Sequence, residues 1–271
     1  MTLRAFSLAF GVISYCCFIG FSFPVQADST WGELRGLVFG DREIRPAPDA
    51  LVLTAPARPD NQSAVPVRLE ARISDGRAIR AVTFVVDENP SPVAAVFEIA
   101  GARRQLDLAT RLRLNAATEV RAVVELDDGA LLMASRFVKF AGGQAACAAP
   151  PAGDPAEIAA TMGQMRLDRE ATAAGLSLAR PKATLTVRHP NHTGMVLDQV
   201  TLLYVPLRIV SDIEVHQGGE KVFSMTGSIT LSQDPQIGFD YVPNGADTMT
   251  VTVTDTDGAR WERSFQIGSG S

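Results

Sequence analysis

From Val65 to Ile73 apolar and polar positions alternate: Val65, Val67, Leu69, Ala71 and Ile73 fall on one face, and Arg68, Glu70 and Arg72 on the other. A period of two is that of an extended strand with one face buried. Leu106, Leu108, Leu112 and Leu114 repeat the pattern against Asp107, Arg111 and Arg113. Val120, Ala122, Val124 and Leu126 repeat it again before Asp128-Gly129, a dipeptide that turns a hairpin. A strand through Thr83 to Val86 must end at Asp87-Glu88-Asn89-Pro90-Ser91-Pro92, whose prolines lack the donor a ladder requires. Adjacent strand residues face opposite ways, so Asp87-Glu88 reads as turn and surface chemistry, not as an acid pair.

A second strand-rich stretch covers Lys182 to Ile267, with strands expected at Ala183 to Arg188, Val200 to Tyr204, Ile213 to His216, Val222 to Met225 and Met249 to Val253. Gly218-Gly219, Pro243-Asn244-Gly245 and Asp257-Gly258 separate them. Short strands at this spacing, with no amphipathic helices between, predict an all-β fold of two immunoglobulin-like β-sandwich domains. They are joined by a flexible Cys-bearing linker and a short helix. The divisions are a signal peptide at 1–27, a first sandwich at 28–140, an arm and linker helix at 141–181, and a second sandwich at 182–271. The linker from Ala141 to Gly153 is rich in Ala, Gly and Pro and carries no charge. Asp154-Pro155-Ala156-Glu157 then predicts a helix start with a capping Asp, Pro at the first position and a capping-box Glu. Ile158, Met162 and Met165 would share its inner face, and Gly175 would stop it.

Composition narrows the function. Lys and Arg total 25 against 30 Asp and Glu, for a net charge of −5, and without a basic run the electrostatic footprint of a nucleic-acid binder is missing. Hydrophobic residues at 46% with 20% charged residues fit a packed protein rather than a disordered one. Arg4, the uncharged stretch Ala5 to Phe23, and Val25-Gln26-Ala27 read as a cleaved export signal, leaving no membrane segment afterwards. An uncleaved anchor is the runner-up, because the apolar stretch approaches the ~20 residues that cross a bilayer.

Of the three cysteines, Cys16 and Cys17 leave with that signal, so Cys147 is the one thiol of the mature chain. A single cysteine in an oxidising compartment has three fates: a free thiol, a bond to another molecule, or a covalent load. Cys147 lies midway between Phe140 and Asp154. At ~3.3 Å per extended residue, its sulfur could stand up to about 20 Å from the strands. Gly142 and Gly143 add backbone freedom, so the expectation is an exposed thiol on a pliable arm. The nearest charges along the chain are Lys139 and Asp154, so nothing local lowers its pKa, and a passive carrier fits better than a nucleophilic catalyst.

Other candidates are weaker. His189-Pro190-Asn191-His192 pairs two imidazoles, but no further ligand follows at zinc spacing and Pro190 prevents a helical alignment, so a hydrogen-bonded turn is expected and no metal. An enzyme using His189 and His192 as acid and base is the least favoured alternative. His216 alternates with Asp212 and Glu214 on a polar face. Asp255-Thr256-Asp257-Gly258 resembles part of a calcium loop without its terminal Glu, and a hairpin turn explains it. No nucleophile elbow, Walker loop, dinucleotide fingerprint or metallopeptidase helix occurs, so no cofactor is expected.

Trp31 through Gly40, Asp87-Glu88-Asn89-Pro90, and Arg136-Phe137-Val138-Lys139 leading to Gly142-Gly143 and Cys147 together resemble SoxY, the sulfur-carrying subunit of bacterial thiosulfate oxidation. Arg188 through Gly194, the Ile213 to Gly218 strand, and Asn244 through Thr248 to Asp257-Gly258 resemble its partner SoxZ. The fused arrangement is most similar to the SoxYZ-like carriers associated with quinoprotein dehydrogenases. That resemblance implies a periplasmic, non-catalytic carrier, with Cys147 holding sulfur intermediates and the second sandwich packed on the first. It implies sulfur-oxidising or quinoprotein dehydrogenase enzymes as partners, and Cys147 also offers a route to a disulfide-linked dimer. The alternative is an adaptor module of a quinoprotein alcohol dehydrogenase system in which Cys147 is incidental. The SoxY arm ends in Gly-Gly-Cys-Gly-Gly at a free terminus, whereas here Gln144-Ala145-Ala146 precedes Cys147, Ala148-Ala149 follows, and the chain continues.

Overall fold

A computed structural model describes residues 28–140, 142, 145–170 and 180–268. The expected signal segment, Cys16, Cys17, Gly143 and Gly175 lie outside the described residues. A helix α1 (Asp28–Phe39) precedes strands β1 (Ile44–Pro46), β2 (Leu51–Thr54), β3 (Val65–Arg72), β4 (Ile79–Val86), β5 (Val93–Arg103), β6 (Gln105–Leu112), β7 (Thr118–Leu126) and β8 (Leu131–Val138). A 3-10 turn (Ala146–Ala148) and helix α2 (Pro155–Thr161) follow. The chain continues as β9 (Met165–Arg169), β10 (Lys182–Val187), β11 (Val210–Gln217), β12 (Glu220–Gly227), β13 (Gln236–Asp240), β14 (Thr248–Asp255) and β15 (Arg260–Gln266).

The alternation read from the sequence is the burial pattern of these strands. Val65, Val67, Leu69 and Ala71 of β3 face the core, as do Leu106, Leu108 and Leu112 of β6. Gly129, at φ 82°, turns the β7–β8 hairpin where Asp-Gly predicted it.

The two sandwiches are joined edge to edge, because each sheet crosses from one half of the chain to the other. One sheet runs β1-β8-β7-β4-β5-β12-β11-β14-β15 and the other β2-β3-β6-β13-β10-β9. At the seam β5 pairs antiparallel with β12, from Phe223 opposite Ile99 to Gly227 opposite Ala95. In the second sheet Phe239 of β13 sits opposite Leu108 of β6. Such pairing satisfies edge strands that would otherwise expose their backbone groups. Rings continue the core across the seam: Phe97 to Phe223 at 5.8 Å and Phe223 to Phe239 at 5.1 Å. Phe223→Ala is therefore expected to cost about 3–5 kcal/mol. In urea both halves should unfold in one transition, since they share that core; two separated transitions would contradict the continuous sheets.

Four local expectations are corrected. Helix α2 starts as expected, with the Asp154 carboxylate accepting from the Ala156 and Glu157 N–H groups, but it ends at Thr161. Gly163 stops it, at φ 80° with a Cβ position only 2.1 Å from Trp261 Nε1, so Met165 falls in a strand instead of on the helix face. Val200 to Tyr204 is a loop: Asp198 Oδ1 accepts from the Val200 and Thr201 N–H groups, and Leu202 takes φ 56°. Its apolar side chains stand in solvent, Val200 at 92% exposure. Arg113, expected on the polar face of its strand, is buried. Asp87, expected at the surface, is buried against Arg121 at 2.7 Å, with the Trp31 ring 4.4 Å from that guanidinium. Asp87→Ala would strand the cation and is expected to destabilise the fold by about 3–5 kcal/mol in denaturant titration.

Candidate functional site: the seat of Cys147

Cys147 is not presented on an extended arm. Its relative exposure is 0%, and Ala146 beside it is also buried. An uncharged run of small residues gains by leaving water if its backbone groups find partners, and here they do. The Ala148 N–H donates to Ala145 O at 3.0 Å, coiling the segment into its 3-10 turn. Asn115, in the loop between β6 and β7, accepts from the Cys147 N–H through Oδ1 at 2.8 Å. Thr193, in the loop after β10, donates its hydroxyl to Cys147 O. Farther along, the Gln233 side chain clasps Ala152, accepting from its N–H at 2.7 Å and donating to its carbonyl at 2.8 Å. Gly142, the described member of the glycine pair, has φ 93° and accepts from Gln62 Nε2 at 3.4 Å.

The seat is braced from behind by the Asp-Glu-Asn-Pro turn. Asn89 Oδ1 accepts from the Asn115 N–H at 3.0 Å, while its amide nitrogen donates to Arg113 O at 2.7 Å and Thr230 Oγ1 at 3.1 Å. Arg113 donates from Nη1 to the carbonyls of Ile229 and Leu231. Its pKa falls to about 10 because burial removes water from the cation, with Cys147 acting in the other direction. Burial raises the Cys147 thiol above its ordinary value, opposed by Arg113 and by a hydrogen bond from Asn115. The seated thiol is thus neutral at physiological pH and poorly nucleophilic.

The histidines divide. His189 is buried, with Nδ1 2.8 Å from Asn191 Oδ1 and Nε2 3.5 Å from Asp255 Oδ2. Burial holds its pKa below the usual imidazole range. Burial, then Arg113 and Arg208, lower His192 as well, and its Nδ1 has no hydrogen-bond partner. Among the described residues no group of three or more His, Cys, Asp or Glu could hold a metal. Asp255-Thr256-Asp257-Gly258 is the β14–β15 turn, closed by Asp255 N–H to Ala259 O at 3.0 Å. Asp255 also pairs with Arg208 at 2.7 Å.

Two features therefore converge: an all-β pair of sandwiches merged at a seam, and the described chain's free cysteine held where the two halves meet. Family models match both halves, "Sulfur oxidation protein SoxY" over residues 35–145 and "Sulphur oxidation protein SoxZ" over residues 174–266. The chain belongs to the SoxY and SoxZ families, fused in that order. Among solved structures it is similar to the sulfur carrier protein SoxY from Chlorobium limicola f thiosulfatophilum, at 24% identity and TM-score 0.35, over 41% of this chain and 91% of that one. A superoxide reductase (neelaredoxin) from Ignicoccus hospitalis matches at 20% identity and TM-score 0.26, over 34% of this chain and 80% of that one. No curated protein matches.

The SoxY-matched stretch supplies Asn115 and Arg113 and ends two residues before Cys147, and the SoxZ-matched stretch supplies Thr193 and Gln233. Thr193 lies inside the SoxZ-like stretch Arg188 to Gly194, yet nothing in its spacing ties it to Cys147. Asn115 and Arg113 carry no motif. Among the described residues no helix is long and apolar enough to cross a membrane.

Proposed function

We propose that this fused SoxYZ chain is a periplasmic, non-catalytic carrier that holds sulfur intermediates covalently on Cys147 and presents them to sulfur-oxidising or quinoprotein dehydrogenase enzymes. Presentation requires the segment 145–153 to leave its seat. The observation that carries this reading is the thiol of Cys147, just past the SoxY-matched stretch, seated at the seam by side chains from both halves. Burial keeps the thiol protonated and unavailable to stray oxidants between visits, and release restores ordinary thiol chemistry. If the load arrives by joining two reduced sulfurs in an S–S bond, two electrons leave, and an acceptor on the partner enzyme must take them. Release breaks the Asn115 and Thr193 hydrogen bonds with the Cys147 backbone and the two between Gln233 and Ala152, each worth about 1 kcal/mol net, and leaves both sheets intact, so it costs less than global unfolding.

Intact-mass spectrometry of protein from its native source tests the reading. Sulfur-type adducts mapping to Cys147 are the expected result, and an unmodified thiol under every growth condition would overturn it. A disulfide-linked dimer through Cys147 would also require release, since the seated sulfur is fully covered.

Burial equally suits the second reading, an adaptor in which Cys147 is a structural residue. Under that reading Cys147→Ala leaves function intact.

A further inference from the structure

Beside the seat lies a cleft of about 410 Å³, lined by Arg111, Arg113 and Arg188 together with the arm residues Ala146 and Ala149. The cationic lining is only partly neutralised. Asp234, also on the wall, takes Arg188 through its carboxylate at 2.5 Å and gives the same carboxylate to the His189 N–H at 3.0 Å. Arg111 reaches only the Asp234 backbone carbonyl, at 3.1 Å, and its Nε is buried without a partner. Arg113, 3% exposed, donates to carbonyls alone. Among the described residues neither Arg111 nor Arg113 is in an ion pair, although the chain carries a net charge of −5. A concave surface with unpaired guanidinium groups focuses positive potential, and their fork geometry suits tetrahedral oxoanions.

We propose that this cleft binds a small free sulfur oxoanion, such as sulfate or thiosulfate. The choice of sulfur among oxoanions rests on the carrier reading; the anion site itself does not. Arg113 is shared, since it lines the cleft and is also the cation acting on the thiol. An anion there would be held against the wall that the arm completes.

Isothermal titration of the full mature chain with sodium sulfate and sodium thiosulfate, at constant ionic strength, tests this. The wild type and Cys147→Ser should both bind. Arg111→Gln should weaken binding about tenfold or more, as expected for losing a charged hydrogen-bonding partner. Arg80→Gln, the same charge change at an exposed residue outside the cleft, should leave it unchanged. Absence of binding in the wild type, loss of binding in Cys147→Ser, or equal effects of Arg111→Gln and Arg80→Gln would overturn the site. None of these outcomes touches covalent loading of Cys147, which mass spectrometry reads separately.

Discussion

Cys147→Ser is expected to fold normally and to reduce partner-dependent sulfur transfer to background. Serine is nearly isosteric and its hydroxyl can keep the Asn115 contact in the covered seat, so circular dichroism and the urea midpoint should stay close to wild type. Its hydroxyl neither ionises near neutral pH nor forms S–S bonds, so the proposed attachment point is removed outright. The measurement is sulfur-compound oxidation by cells or periplasmic extract supplied with the variant in place of the wild type. Undiminished oxidation with the variant would leave only the adaptor reading.

The second large effect concerns release. Asn115→Ala removes the acceptor of the Cys147 N–H and Thr193→Val the donor to the Cys147 carbonyl, the two hydrogen bonds between side chains and the Cys147 backbone. At about 1 kcal/mol each, the double variant should favour the released state by about 2 kcal/mol and speed Cys147 alkylation about 30-fold at neutral pH. Unchanged alkylation would mean that these contacts do not govern access. The pH dependence has a definite sign. Burial raises the pKa of the seated thiol above the ordinary 9.0 of a released one, so the seated state holds its proton more tightly. Seating is therefore at full strength below about pH 9 and weakens as pH rises past it. Protection of the thiol, relative to free cysteine, should be flat below that pH and fall above it.

Much of the fold was legible because strand burial follows a two-residue period that any window of the sequence displays. Val65 to Ala71 and Leu106 to Leu112 needed nothing else. What local pattern could not convey was the seam. Nothing in Phe97, Phe223 or Phe239 says that their strands meet, so two sandwiches were readable and their shared sheets were not. The Val200 to Tyr204 stretch has the composition of a strand, but an Asp198 side-chain turn and a positive φ at Leu202 bend it away. The Cys147 position was legible from cysteine counting, and its environment was misread. Asn115 and Thr193 stand 32 and 46 residues from it along the chain, so a segment that looks like free linker is anchored by partners no linear neighbour reveals. Arg113 shows the same limit, since its strand phase suggests solvent whereas the second half of the chain closes over it.

The central claim, a buried thiol that can leave its seat while both sandwiches stay folded, is tested most directly by the urea dependence of Cys147 alkylation. Local release exposes little surface, so the rate should rise only shallowly through the native baseline and run far ahead of global unfolding. A rate that follows the full unfolding transition, with its full denaturant slope, would make Cys147 a core residue and contradict delivery.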